Sequence, residues 1–176
     1  MKKSVLLLFF AGCVATGIFG IGRKIPMNRV NDLGQREGYW RDSLGEGITH
    51  ELYYKGGKKD GLFKCFIRNE LFLFGEYTAD NMSGTWYMFG DEGELRCTID
   101  SIELNKDSIY TGYCRIFCKY KCHSIDYYPS GAVKSEGYMV CDEEFEIEIW
   151  EIGQWKYYDE SGNLIKTKDY GDRRTP

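Results

Sequence analysis

Proline is nearly missing from this chain, three in 176 residues, and no long polar tract accompanies it. Both absences argue against extended disorder, and the length suits one folded domain. Positive charge is in deficit: 23 basic against 27 acidic residues leave a net charge of −4. That balance offers no electrostatic footprint for a phosphate backbone, which removes nucleic-acid binding from consideration. Histidine is scarce, with only His50 and His123. Neither sits in a local signature linking it to a nucleophile or to a pair of metal ligands, and both read as ordinary polar residues. No glycine-rich loop follows a strand and opens a helix, so nucleotide binding has no support either.

Aromatic side chains are plentiful: fourteen Tyr, ten Phe and four Trp make up 16% of the chain, a composition that favours strands. The phrase Gly-x-aromatic recurs at Gly38/Trp40, Gly61/Phe63, Gly84/Trp86 and Gly153/Trp155. The glycines are separated by 23, 23 and 69 residues, and a fixed spacing in this range marks a repeat architecture. Seven residues after three of the aromatics stands a second glycine, Gly47, Gly93 or Gly162; after Phe63 the place is held by Glu70. The 69-residue interval is not three perfect units, because Asp107 and Ser130 fill its glycine slots. Gly131 serves instead, giving two units with insertions, placed at 98–126 and 141–152.

Between these landmarks the chain alternates strand and turn signals. EFEIEIW at 144–150 puts Phe145, Ile147 and Ile149 on one face and glutamates on the other. GGKKDG at 56–61, ADNMSG at 79–84, GDEG at 90–93, YPSG at 128–131 and DESG at 159–162 are rich in residues that accept turn geometry. The expected fold is all-β, an elongated antiparallel sheet of successive hairpins with a period of about 23 residues. Trp40, Phe63, Trp86 and Trp155 are expected in equivalent places, forming a core column. Gly38, Gly61, Gly84 and Gly153 are expected to let a neighbouring ring lie over bare backbone and to start strands after turns. Gly47, Gly93, Gly131 and Gly162 are assigned to the closing turns.

GGKKDGLFKCF, NMSGTWYMFGDEGEL and GQWKYYDESGNL carry a family resemblance. They are similar to the bacterial variant of the membrane occupation and recognition nexus (MORN) repeat, and the resemblance covers most of 31–171. It implies serial hairpins, no catalytic centre, and a role in binding or scaffolding. Some bacterial members are labelled antitoxin components, which an export signal would contradict.

The N-terminus reads as that signal. Lys2 and Lys3 precede an uncharged stretch from Ser4 to Gly22, ended by Arg23 and Lys24. FAGC at 10–13 resembles the bacterial lipobox, which implies lipidation at Cys13. Cleavage further on and retention of Val5 to Gly22 as a membrane span are the alternatives. The chain thus divides into an export signal or anchor, 1–24, and a repeat domain, 25–176, placed in the bacterial cell envelope.

Without Cys13 six cysteines remain, an even set that suits disulfides in an exported protein, and buried thiols are the alternative. Cys114, Cys118 and Cys122 lie four apart with His123 adjacent. On a helix they would be close enough to share a metal; on a strand they stand about 13 Å apart, too far for one zinc. Tyr, Ile and Phe between them favour the strand, with partners among Cys65, Cys97 and Cys141 on neighbouring strands. The acidic run DEEFEIE at 142–148 could supply paired carboxylates for glycoside chemistry, but any solvated strand face produces such alternation. No catalytic, cofactor or metal residue is therefore assigned. The expected function is a non-enzymatic envelope scaffold for an unknown protein or glycan, attached to the membrane through its N-terminus. A purely structural lipoprotein and a small Asp/Glu hydrolase are the alternatives.

Overall fold

The computed structural model describes residues 26–106, 109–110, 115–116, 118–142 and 149–171. The N-terminal segment with Cys13, the thiol of Cys114, and Phe145 and Ile147 of the acidic run lie outside the described residues. The first seven strands are β1 (Arg29–Val30), β2 (Arg36–Gly45), β3 (Ile48–Lys55), β4 (Lys58–Ile67), β5 (Glu70–Thr78), β6 (Asn81–Phe89) and β7 (Leu95–Leu104). A small separate hairpin, β8 (Ile109–Tyr110) with β9 (Arg115–Ile116), comes next. The ladder then resumes with β10 (Tyr120–Tyr127), β11 (Val133–Cys141), β12 (Ile149–Tyr158) and β13 (Leu164–Asp169). Eleven strands form one open antiparallel sheet in chain order, β7 pairing directly with β10, and no helix occurs among the described residues. Of the expected insertion at 98–126, residues 98–104 and 120–126 are regular ladder strand.

Tight turns set this meander. Gly56–Gly57, Arg68–Asn69 and Ala79–Asp80 each place two consecutive residues at positive φ, the backbone that matches the twist of a two-residue hairpin. The turn at Arg68–Asn69 (φ 52° and 70°) holds no glycine and carries no strong turn signal in sequence. Longer turns after β6, β10 and β12 close through backbone bonds from Gly93 N–H to Gly90 O, Gly131 N–H to Tyr128 O and Gly162 N–H to Asp159 O, at 2.8 to 3.0 Å.

At Gly84 and Gly153 the Gly-x-aromatic phrase proves to be a bulge device, whereas Gly38 to Trp40 pair in unbroken register with β3. Phe74 pairs with Tyr87 and Glu76 with Ser83, so Gly84, Thr85 and Trp86 together oppose the single residue Gly75. Likewise Gly153, Gln154 and Trp155 oppose Gly137. The first residue of each bulge takes positive φ, 65° at Gly84 and 61° at Gly153, which L side chains rarely adopt. The bulge carries the indole over the opposed glycine: a Cβ on Gly75 would lie 2.2 Å from the Trp86 ring, and one on Gly137 2.5 Å from the Trp155 ring. At Gly38, Gly84 and Gly153 this corrects the expectation that the glycine preceding the aromatic receives a ring; at Gly61 the expectation holds, with the Tyr53 side chain from β3. A Cβ at Gly38, Gly84 or Gly153 would meet nothing within 4 Å, and at Gly61 it would meet the Tyr53 side chain at 3.1 Å. These glycines also lie within strands and not at their starts.

One face of the sheet closes on itself to make the core. Phe63, Trp86 and Trp155 are 1%, 0% and 4% exposed, packed with Leu52, Leu73, Tyr77, Met82, Ile99, Tyr120 and Met139. The Phe63 and Trp86 rings meet at 5.5 Å, and Tyr77 stands edge-on to both at 5.7 and 5.2 Å. Trp40 is only partly buried, because β2 is flanked on its far side by the two-residue β1. Its indole N–H donates to Arg29 O at 3.1 Å, and the Arg36 guanidinium covers its ring at 4.3 Å. A single sheet can bury a face only by curling. That curl is visible where the Tyr120 hydroxyl of β10 accepts the Met82 N–H of β6 at 3.0 Å across the intervening β7.

Candidate functional site

Because period-two alternation sends the core residues to one face, the opposite face carries what remains, and strand register arranges it into rows. One row begins Arg41–Glu51–Lys64–Phe74–Tyr87 through successive cross-strand pairs. It continues Thr98–Ile125–Glu136–Lys156 to the far side of the sheet. Arg41 and Glu51 approach at 3.8 Å, and the Phe74 and Tyr87 rings lie 6.0 Å apart. The Thr98 and Tyr127 hydroxyls share a hydrogen bond of 3.1 Å. A second row places Asp100, His123 and Tyr138 side by side. His123 Nδ1 stands 3.5 Å from Asp100 Oδ1, and its ring centroid is 5.2 Å from that of Tyr138. Lys121 Nζ lies 3.4 Å from Glu103 and 5.5 Å above the Tyr138 ring.

Two aromatic stations stand out on this face. Tyr39 and Tyr53 pair across β2 and β3 with centroids 5.4 Å apart. Burial, followed by a hydrogen bond to Glu51, pushes the Tyr39 phenol up to about 12, so it stays a neutral hydroxyl at any physiological pH. Tyr53 and Tyr138 are 39% and 47% exposed and Leu62 is 47%, against the near-zero exposure of the core rings. At the second station Glu136 Oε1 accepts the Tyr158 hydroxyl at 2.6 Å and Lys156 Nζ at 3.1 Å. The Tyr158 bond first, then Lys156, holds the Glu136 carboxyl below the usual carboxylate range. Rings in such settings are rigid plates flanked by fixed charges, chemistry suited to contact with another surface.

The sequence candidates fall elsewhere. Gly61, Gly84 and Gly153 lie in bulges, while Gly38 pairs in register with Tyr54; Trp40, Phe63, Trp86 and Trp155 face the core, and Gly47, Gly93, Gly131 and Gly162 sit in turns. His50 is buried on β3 with its ring 5.1 Å from Phe63. Cys118 and Cys122 do not share the face that two strand positions four apart would share. Cys118 precedes β10 and packs with Val140, Trp150 and Ile152, while Cys122 joins the main core on the other side. Among the described residues no group of three or more His, Cys, Asp or Glu side chains is placed to hold a metal.

Clefts lie beside the turns, among them one of about 590 Å³ lined by Asp91, Glu92, Gly93, Glu94, Arg96 and Pro129. A cleft of about 290 Å³ between the β6–β7 and β10–β11 turns is lined by Glu94, Arg96, Tyr127, Tyr128, Pro129 and Lys134. It offers ion pairing and no histidine or cysteine. The outer-face rows were not legible in sequence beyond their polar or aromatic type, because which residues become neighbours within a row is set by the register between strands and by the bulges that shift it.

These features define a class: an open, single-sheet array of hairpins with one face spent on a core and the other presenting rings and ions. Comparison with known proteins adds no narrower grouping, since no family model, no curated protein and no solved structure matches the chain.

Proposed function

We propose that this chain is a non-enzymatic protein of the bacterial envelope, attached to the membrane by its N-terminus, whose outer sheet face binds a protein or a glycan. The observation that carries this reading is the asymmetry of the two faces. The inner face is consumed by Phe63, Trp86, Trp155 and their neighbours, so any partner meets the outer face, where Tyr53, Leu62 and Tyr138 are exposed beside Arg41–Glu51, Lys121–Glu103 and Lys156–Glu136. Tyrosine gives large contact area with little rotamer freedom to lose, and the flanking ions set orientation. The resemblance to MORN repeats supports a scaffold. The uncharged run from Ser4 to Gly22 supports export, with lipid attachment at Cys13 as first choice and an uncleaved span as second. A hydrolase would need two carboxylates in a defined cleft. Carboxylates do line clefts beside the turns, Asp91, Glu92 and Glu94 in one and Glu136 with Glu160 in another, so the binding reading rests on the asymmetry of the two faces and not on a lack of paired acids.

The test is capture by the immobilised full chain from a solubilised envelope extract and, separately, from solubilised cell-wall glycan fragments. A Tyr53→Ser/Tyr138→Ser variant is run in parallel after its melting curve has been matched to the parent. Capture by the parent and loss by the variant is the expected result. Capture that is indifferent to both tyrosines, or none by either protein, overturns the binding reading and leaves a purely structural role.

A further inference from the structure

We infer that Cys122 and Cys141 become joined by a disulfide when the chain folds in the presence of a disulfide oxidant, fastening β10 to β11 at the open end of their hairpin. The inference is independent of the partner reading, since it rests on the core. The two sulfurs lie 3.6 Å apart, and both residues are fully buried thiols. Cys122 pairs with Met139 and Cys141 with Tyr120, so the two cysteines are diagonal neighbours with side chains on the same face. Cys97 is turned instead to Ser124, whose hydroxyl is 3.2 Å from its sulfur. Cys118 packs on the other side of the sheet.

Bond formation requires the sulfurs to close to about 2.05 Å. Diagonal Cα atoms stand roughly 7–8 Å apart in an antiparallel pair, and a disulfide tolerates up to about 6.8 Å, so the strands must approach by roughly 1 Å. One local feature permits this: the register of β10 against β7 slips between Lys121 and His123, on either side of Cys122.

The order of events follows from burial. In the folded chain the hydrogen bond to Cys141, and next burial, push the Cys122 thiol well above its ordinary range, so the nucleophilic thiolate is scarce and shielded. Oxidation therefore belongs to the folding chain, before β10 and β11 pack. The Cys141 thiolate attacks one sulfur of a small-molecule or protein disulfide and releases one thiol. The Cys122 thiolate then attacks Cys141 Sγ in the mixed disulfide and releases the second thiol. The two cysteine protons end on the released thiols, and the two electrons taken from the cysteine pair reduce the oxidant's S–S bond. Once packed, the new bond is as inaccessible as the thiols were.

The test refolds the full chain from urea with oxidised glutathione, blocks remaining thiols, and maps non-reduced tryptic peptides by mass. Trypsin separates the two residues, leaving Cys122 in 122–134 and Cys141 in 135–156. The expected result is a linked pair of these peptides. It is absent after refolding with reduced glutathione, and absent when folded, reduced protein receives oxidised glutathione for the same time. The linked form should also show an unfolding equilibrium at least about tenfold more favourable to the folded state than the reduced form in urea titration. Both peptides unlinked after oxidative refolding, either one linked to another cysteine, equal oxidation of the folded chain, or a linked form less stable than the reduced one overturns the inference.

Discussion

Replacing Gly75 by Ala isolates the contact that gives the Gly-x-aromatic phrase its purpose. Gly75 has no positive φ, so alanine is welcome to the backbone and even removes freedom from the unfolded chain, a gain of about 0.4–1 kcal/mol. Its methyl would stand 2.2, 2.4 and 2.6 Å from three carbons of the Trp86 indole. Ordinary carbon contacts lie near 3.5–4.0 Å, so the ring must recede by more than about 1 Å. It has nowhere to go: Trp86 is 0% exposed and held by Phe63 at 5.5 Å and Tyr77 at 5.2 Å. Overpacking costs about 1–3 kcal/mol and this overlap belongs at the upper end, which leaves about 2 kcal/mol net destabilisation. The assay is urea unfolding followed by circular dichroism, with the slope checked for constancy. A double-mutant cycle with Trp86→Leu identifies the cause. Once the indole is gone the alanine should cost nothing, a coupling of about 1–3 kcal/mol. Gly84→Ala is the control, because its Cβ meets nothing within 4 Å and its penalty is the backbone strain at φ +65°, about 1–2 kcal/mol. That penalty should persist in the Trp86→Leu background. A Gly75→Ala protein as stable as the parent, or effects that simply add to Trp86→Leu, would refute the reasoning.

Ala79→Gly should stabilise the chain by about 0.5–1 kcal/mol in the same assay, since relief of a left-handed alanine outweighs the added freedom of the unfolded glycine; Ala79 has φ 49° in the β5–β6 turn. Glu136 has a depressed folded pKa, so its contribution to stability is present above the ordinary carboxylate range near about 4.3 and is lost as pH falls through the folded value. Glu136→Gln should thus be less stable than the parent at neutral pH, with the gap narrowing in acid. A gap that stays constant with pH refutes the assignment. Cys13→Ala should abolish lipid labelling and release the protein from the membrane, whereas unchanged retention would point to the uncleaved span.

The sequence by itself determined the alternation of strands and turns, the antiparallel hairpin character, and that the recurring glycine and aromatic have a structural role. All of these rest on local chemistry: period-two burial, the few residues that accept positive φ, and the size of an aromatic ring. Only the tertiary structure decided that Gly75 and Gly137 lie beneath the rings, that Cys118 and Cys122 occupy opposite faces, and that Cys122 reaches Cys141. It alone also set Tyr53, Tyr138 and the Glu136–Tyr158 contact on an open face, and made Arg68–Asn69 a tight turn without glycine. Each of these depends on cross-strand register. Every bulge shifts that register, so a residue's neighbour one strand away depends on how many residues the bulge consumes, and alternation within a strand carries no record of that number.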